Sequence, residues 1–339
     1  MSSIAPEKSL AGIADESDLV RLGRIIAANS ETKRAVVGSK SSGMAKKSLP
    51  VKIDVTSITG DEKLRVRIGT RPSPLAIIQA EMIASKIPIE TEIIPIRTLG
   101  DKNMRAFTSD PNGVKGMFTH EIEECLSAGE IDIAVHSLKD LAVNINPELP
   151  IVAYSKRGSP FDALVGNAGN VIGSSSLRRR LQIERLYPSC KVMAVRGNVG
   201  TRLRKLDEGE YDGLILSVAG LERLGMSQRI TRIFSAEEIM PCSCQGIIAC
   251  QGRIDEDYGY LSGVNDEISR DCAVAERSFS RCLGAGCNIP AGAYAEIEGE
   301  TLTLKGLYID DDGEFHRGKI SGKRKDAYEL GKKLAEELT

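Results

Sequence analysis

The sequence predicts a multi-domain α/β protein, for two reasons. Its 339 residues exceed one ordinary core, because domains commonly hold about 150 residues, so two or three domains are expected. From Leu64 onward, short apolar bursts alternate with amphipathic stretches such as Pro74 to Lys86, which favours βαβ units with mainly parallel sheets. In chain order, the bursts cover Val66 to Ile68, Glu92 to Ile96, Ile131 to Val135, Ile151 to Tyr154, Val192 to Val195 and Leu214 to Val218.

Two breaks divide this pattern. One covers Lys156 to Phe161, which contains glycine and proline, and the other covers Met240 to Gly246. The segment after about Asn265 has a different pattern: a helix from Ile268 to Cys282, a glycine-rich loop, three strands and a final amphipathic helix. We therefore predict a separate α+β unit at the C-terminal end.

Residues 1–62 differ from the rest of the chain. They contain ten serines and no aromatic residue, which predicts a flexible N-terminal extension. Within it, one helical face would carry Leu19, Leu22, Ile25 and Ile26, which allows a short docking helix. The acidic residues of this segment argue against a transit peptide.

The composition excludes several classes of function. Lys plus Arg (45) nearly balance Asp plus Glu (47), and only 4% of residues are aromatic, so no nucleic-acid partner is expected. The sequence has no run of 18 apolar residues and no secretory signal, which predicts a cytoplasmic protein without a membrane partner. The eight cysteines are then expected to be reduced, and their spacing lacks the paired pattern of common zinc sites, so no metal is expected.

Four segments combine Arg, Ser, Thr and Gly where strands should lead into helices. Ligands of open α/β sheets bind at the carboxyl ends of strands, where helix N-termini attract anions. The segments are Thr70 to Pro74, Gly173 to Arg180, Arg196 to Arg202 and Ala219 to Arg223. They predict a site for a ligand with several carboxylates, because guanidinium groups bind carboxylates in a bidentate manner. The alternative is that these arginines pair with acidic residues on helix surfaces.

Two further segments contain candidates for chemistry. The apolar stretch from Asp132 ends in His136, Ser137, Lys139 and Asp140, where Asp140 could transfer protons or simply cap a helix. Cys287 lies in a loop whose glycines would expose its thiol, although most loop cysteines are inert.

Taken in order, these segments resemble the porphobilinogen deaminase family from about Leu64 to the C-terminus. The most specific matches are RVRIGTRPSPLAIIQ (65–79), DIAVHSLKD (132–140), GSSSLRR (173–179), RGNVGTRL (196–203) and LGAGCNIP (283–290). The resemblance implies three domains: two lobes like those of periplasmic binding proteins, with mixed sheets, and a smaller α+β domain that carries the cofactor loop. Domain 1 would comprise residues 63–158 and 241–260, domain 2 residues 159–240, and domain 3 residues 264–339.

By the same resemblance, the chain is a transferase of tetrapyrrole biosynthesis. It would condense four porphobilinogen molecules, with loss of ammonia, on a dipyrromethane joined to Cys287 by a thioether, and then release hydroxymethylbilane. Asp140 matches the catalytic aspartate. Positions that match the cofactor site are Lys139, Ser174, Ser175, Ser176, Arg178, Arg179, Gln245 and Gly246. Positions that match the substrate site are Arg71, Ser73, Lys115, Arg196, Arg202 and Arg223. A monomer is expected.

The sequence departs from the family near the second break. Family members commonly have Pro-Ala-x-Gly-Gln-Gly and then, five residues later, Glu; this chain has Pro241-Cys242-Ser243-Cys244-Gln245-Gly246 and then Gln251. Phe161 replaces a commonly basic residue. A competing hypothesis is a two-lobed receptor for a small anion, which the lobes and arginines alone would allow.

Overall fold

We describe a computed structural model of the chain that covers residues 65–99, 119–284 and 289–339. The predicted extension at residues 1–62, and the predicted site residues Lys115 and Cys287, lie outside these ranges.

The described residues form strands and α-helices that alternate for most of the chain. They are β1 (Arg65–Thr70), α1 (Pro74–Ala84), β2 (Glu90–Pro95), α2 (His120–Ser127), β3 (Ile133–Ser137), β4 (Ile151–Tyr154), β5 (Asp162–Gly166), β6 (Val171–Gly173), α3 (Leu177–Leu186), β7 (Lys191–Met193), α4 (Val199–Asp207), β8 (Gly213–Ser217), α5 (Val218–Arg223), β9 (Ile230–Ile233), β10 (Ile248–Gln251), α6 (Glu267–Cys282), β11 (Ala291–Glu298), β12 (Thr301–Ile309), β13 (Phe315–Lys323) and α7 (Ala327–Leu338).

Two five-stranded sheets share one topology. The first sheet has the order β2-β1-β3-β10-β4 and the second has the order β7-β6-β8-β5-β9. In each sheet the first three strands are parallel, and the fourth is antiparallel to both of its neighbours. That fourth strand, β10 or β5, is the first strand that the chain forms after crossing from the other sheet. The expectation of mainly parallel sheets holds for the direction of four strands in each sheet, and each crossing inserts one strand of opposite direction. The predicted fold class, with two mixed-sheet lobes and a smaller C-terminal domain, is confirmed.

The first sheet has helices on both faces. Ile133 and Val135 pack with Ile83 of α1, whereas Ala134, the residue between them, packs with Ile122 and Leu126 of α2. Side chains alternate between the faces of a strand, so a strand covered on both faces is apolar at consecutive positions. This explains the uninterrupted apolar stretch that precedes His136.

Polar caps begin the helices that follow strands. The side chain of Ser73 accepts a hydrogen bond from the backbone N–H of Ala76, and Asn198 accepts one from Thr201 at 2.9 Å. Ser176 caps α3 in the same way. Such caps satisfy backbone donors that a first helical turn leaves unpaired. The polar segments of the sequence therefore end up at helix N-termini.

The C-terminal unit is a three-stranded antiparallel sheet, in the order β11-β12-β13, packed against α6 and α7. Phe279 of α6 and Leu334 of α7 are fully buried in its core with Leu302 and Leu304. Gly331 permits the close approach of the two helices, because a Cβ atom at this position would lie 2.2 Å from the carbonyl oxygen of Ala275.

We call residues 155–161 the first crossing and residues 234–247 the second crossing. They meet where the N–H of Gly158 donates to the carbonyl of Gly246 at 3.0 Å. Gly246 has a φ of +94°, and a Cβ there would lie 2.5 Å from the carbonyl oxygen of Gly158, so only glycine fits. Cys244 also has a positive φ, of 64°, at the position where the family commonly has glycine.

A buried ion pair joins both crossings to the C-terminal unit. Glu276 of α6 is fully buried and accepts hydrogen bonds from both terminal nitrogens of Arg157, at 2.5 and 3.2 Å. It also accepts from the backbone N–H groups of Cys244, at 2.5 Å, and Ala295, at 2.7 Å. One carboxylate therefore links the first crossing, the second crossing, α6 and β11.

Candidate active site

A pocket lies at the carboxyl ends of β1 and β3. Asp140, Arg71 and Ser73, which the sequence placed in two separate segments, share this pocket with Gln79 and His136. Asp140 belongs to a short 3-10 helix that directly follows β3, and it is exposed. The structure thus brings the predicted catalytic carboxylate next to two predicted substrate-binding residues.

Hydrogen bonds fix the walls of the pocket. The side chains of Gln79 and Ser137 are bonded at 2.9 Å, which ties α1 to the end of β3. Thr70 donates from its hydroxyl to the carbonyl of Val135 at 3.2 Å, which ties β1 to β3. The walls of the pocket are therefore hydrogen-bonded to one another across α1, β1 and β3.

His136 is the buried titratable group of this pocket. Burial, together with the positive charge of Arg71, lowers the pKa of His136 to about 4. The imidazole is therefore neutral near pH 7, and the charges of the pocket are those of Arg71 and Asp140.

A polar network leads from this region into the second lobe. Lys139 donates to the side-chain oxygen of Gln245 at 3.2 Å, and Arg179 donates to the same oxygen at 3.4 Å. Gln245 is almost fully buried in the second crossing. Three residues predicted to bind the cofactor are therefore connected, although Lys139 and Arg179 belong to different lobes.

Both Arg178 and Arg179 pair with Asp162, the first residue of β5. Asp162 is fully buried and accepts from Arg179 at 2.6 Å and from Arg178 at 2.8 Å. It also accepts from the amide of Gln245 at 2.8 Å. We call these four residues the Asp162 cluster. The two arginines that the resemblance assigns to the cofactor thus already have an internal carboxylate partner.

Positive charge exceeds negative charge around the cluster. Burial lowers the pKa of Lys139, while the charge of Asp140 opposes this effect. Burial and the charge of Arg179 lower the pKa of Arg202, and the charge of Asp140 again opposes this effect. Close cations in a partly dry site favour the binding of anions, because an anionic ligand would compensate their mutual repulsion.

The remaining predicted residues have distinct positions. Ser174 is buried, Ser175 donates from its hydroxyl to the carbonyl of Val195 at 2.5 Å, and Ser176 caps α3. Arg196 is exposed. Arg223 donates to the carbonyl of Gly246 at 2.5 Å, so these two predicted residues contact each other at the second crossing.

Surface pairing, the alternative interpretation of the arginines, is correct for two arginines in or beside the same segments. Arg180 pairs with Glu184 at 2.9 Å and Arg204 pairs with Glu208 at 3.0 Å, both with exposed arginines. Burial therefore separates arginines that the sequence could not distinguish.

Sequence reasoning missed Asp162, Glu276 and Arg157. One signal for Asp162 was available, since an acidic residue begins the otherwise apolar strand Asp162–Gly166. Glu276 offers a weaker signal: it lies on the buried face of α6, between Cys272 and Phe279.

Within residues 65–99, 119–284 and 289–339 there is no cluster of three or more potential metal ligands of the His, Cys, Asp and Glu types. In the same ranges no helix has the length and apolar character needed to cross a bilayer.

Comparison with known proteins decides the family. A family model described as "Porphobilinogen deaminase, dipyromethane cofactor binding domain" matches residues 66–259, and one described as "Porphobilinogen deaminase, C-terminal domain" matches residues 271–339. The chain belongs to the porphobilinogen deaminase family. The predictions of a transferase of tetrapyrrole biosynthesis and of a dipyrromethane cofactor are confirmed, and the hypothesis of an anion receptor is set aside.

Curated porphobilinogen deaminases match most of this chain. The one from Ruminiclostridium josui is 46% identical over 284 residues, which cover 81% of this chain and 97% of the relative. The one from Acetivibrio thermocellus is 45% identical over 287 residues, which cover 81% and 98%. Among solved structures, the open substrate-binding domain 2 of Lactococcus lactis GlnP is 10% identical, with a TM-score of 0.35, over 61% of this chain and 88% of that domain.

The residues present fit a ligand with several acidic side groups. The Nε atom of Arg179 is buried without a hydrogen-bond partner among the described residues, and an unsatisfied buried donor is unfavourable unless a ligand pairs with it. Lys139, Arg179 and Arg202 lie near one another with partial compensation from Asp140 and Asp162. The dipyrromethane of the family carries carboxylates of the kind that this donor set binds.

Proposed function

We propose that Asp140 is the catalytic residue of this chain, which condenses four porphobilinogen molecules into hydroxymethylbilane, and that Cys287 is the attachment site of its dipyrromethane. The observation that carries the assignment of Asp140 is its position. Its exposed carboxylate shares a pocket with Arg71 and Ser73, and its charge acts on Lys139, Arg179 and Arg202.

Asp140 is suited to handle protons and positive charge. Loss of ammonia from porphobilinogen leaves positive charge on the pyrrole, and a carboxylate in the same pocket stabilises that charge. The carboxylate then accepts the proton released when the new carbon–carbon bond forms. Because Asp140 is exposed rather than held by an arginine, its oxygens are available to the substrate.

The cations around Asp140 would bind the acidic side groups. We assign Arg71 and Ser73 to the incoming substrate, because they line the pocket that contains Asp140. Lys139 and Arg179 are assigned to the cofactor, which supplies the pyrrole carbon to which the first substrate is joined. The further assignments keep the roles implied by the resemblance: Ser174, Ser175, Ser176, Arg178, Gln245 and Gly246 for the cofactor, and Lys115, Arg196, Arg202 and Arg223 for the substrate.

The molecular organisation forms part of the same proposal. We propose the domain boundaries given above, with residues 1–62 as a flexible extension, a monomeric state, a cytoplasmic location and no nucleic-acid partner. The continuity of the two crossings with β4, β5, β9 and β10 supports the division between domains 1 and 2.

An intact mass measurement tests the function. The purified protein should exceed its sequence mass by one dipyrromethane and should convert porphobilinogen to hydroxymethylbilane. Cys287→Ser should have its sequence mass and no turnover, because an alcohol is a poor nucleophile for capturing the cofactor precursor. Cys282→Ser, which changes an exposed thiol at the end of α6, is the matched control and should keep the adduct. An adduct that persists in Cys287→Ser would refute the assignment.

A further inference from the structure

The Asp162 cluster uses the two arginines in different ways. Arg178 donates to the carbonyl of Met240 and to one oxygen of Asp162. Arg179 donates from one terminal nitrogen to the carbonyl of Ile215, at 3.1 Å, and from the other to the second oxygen of Asp162, at 2.6 Å. Both terminal nitrogens of Arg179 are therefore anchored inside the protein.

Asp162 is a permanent anion in this setting. Burial alone would favour its neutral form, but the charges of Arg179 and Arg178 and their hydrogen bonds outweigh burial, so the pKa of Asp162 lies far below its usual range. The amide of Gln245 adds a third donor to the carboxylate, at 2.8 Å. The carboxylate thus holds two residues of α3 and one residue of the second crossing in fixed positions.

This arrangement leaves one donor nitrogen of Arg179 without a partner among the described residues. This atom, Nε, is buried. The side chain as a whole is 10% exposed. An arginine held by both terminal nitrogens has a fixed plane, so the direction of its Nε–H bond is fixed as well.

We infer that Asp162 is a positioning residue for cofactor attachment: it anchors Arg179 so that the Nε–H group is directed at an acidic side group of the cofactor. This inference rests on the proposed function. It assigns Asp162 no contact with substrate or cofactor. It also distinguishes Arg179, which keeps a donor for the ligand, from Arg178, whose terminal nitrogens donate to Met240 and Asp162.

The test measures the fraction of purified, folded protein that carries the dipyrromethane, by intact mass. In Asp162→Asn we expect this fraction to fall at least tenfold, because an amide neither anchors both arginines nor compensates their charge. Arg180→Leu is the matched control, since Arg180 lies on the same helix but forms an exposed pair with Glu184, and it should load fully. A purely structural role would lower the unfolding temperature and leave the loaded fraction of folded protein unchanged.

A second variant keeps the inference testable if Asp162→Asn does not fold. Arg179→Lys keeps the charge beside Asp162 but lacks the Nε–H group, so it should fold and lose the adduct to a similar degree. Full loading of folded Asp162→Asn or of Arg179→Lys would overturn the inference. These outcomes differ from failure of the proposed function, in which the unmodified protein itself would carry no dipyrromethane.

Discussion

Two aspartates occupy opposite environments in the two lobes. Asp140 follows β3 in the first lobe and is exposed, whereas Asp162 begins β5 in the second lobe and is fully buried. Asp162 accepts hydrogen bonds from Arg178, Arg179 and Gln245. One aspartate side chain is therefore accessible to a ligand, whereas the other is fully hydrogen-bonded within the protein.

The difference teaches what a carboxylate needs in order to act on protons. Two guanidinium groups hold the pKa of Asp162 far below its usual range, so this group stays ionised at any working pH. A proton acceptor that must also return its proton cannot be held in this way. We therefore expect the buried carboxylates to hold their partners in fixed positions and the exposed carboxylate to act on protons during turnover.

The largest expected effect concerns Glu276, the other fully buried carboxylate at the crossings. Glu276→Gln keeps the size of the side chain but leaves the charge of Arg157 without its partner. Breaking a buried ion pair typically costs about 3 to 5 kcal/mol, and we expect the free energy of unfolding to fall by this amount in urea titrations. Glu208→Gln, at an exposed pair, should cost less than about 0.5 kcal/mol. Equal losses in the two variants would contradict the division between buried and exposed groups.

The second prediction concerns Asp140 and turnover. In Asp140→Asn the production of hydroxymethylbilane should fall at least about 100-fold, the lower range for a lost acid–base group, with an unchanged unfolding temperature. Asp207→Asn, which alters an exposed partner of Arg229, should retain normal turnover. Near-normal activity of Asp140→Asn would mean that Asp140 has no catalytic role and is only the last residue of a short helix. The contrast with Asp162 would then not hold.

The third and smallest effect sharpens the comparison within the pocket, where His136 is buried beside the exposed Asp140. Its pKa of about 4 in the folded protein lies below the ordinary value of about 6.5, so the unfolded chain binds the proton more tightly. The corresponding stability is present above pH 6.5 and is lost as the pH falls towards 4, by at most about 3 kcal/mol.

The measurement compares urea unfolding at pH 7 and pH 5. His136→Asn should lose less stability over this interval than the unmodified protein, because asparagine does not titrate. His120→Asn is the control, since His120 is exposed and pairs with Glu124 at 3.3 Å. If the pH dependence of His136→Asn and of the unmodified protein coincide, His136 is not a neutral buried group.

The sequence predicted the Asp140 pocket because its residues follow strands in contiguous segments. Arg71 and Ser73 follow β1, Asp140 follows β3, and the carboxyl ends of neighbouring parallel strands meet at one edge of a sheet. Local pattern was therefore sufficient to place these residues at strand ends, and the observed pairing of β1 with β3 brings them together.

The buried clusters could not be predicted in this way. Arg157 and Glu276 are 119 residues apart in the chain, and nothing in their two segments indicates that they pair. The direction of β10 was also missed, because an apolar burst gives the position of a strand but not its partner or its direction. Long-range pairing decides these features, and local sequence pattern does not show which residues pair.

The topology of the two sheets also constrains the order in which they form during synthesis from the N-terminus. All strands of the second sheet lie between Asp162 and Ile233, so this sheet has its complete set of strands while the ribosome is still translating the second crossing. The first sheet begins earlier but lacks β10, which lies between β3 and β4, until Gln251 has been added. The lobe that starts first is therefore completed last, and the edge of β3 leading to Asp140 acquires its neighbouring strand only after the whole second lobe has been made.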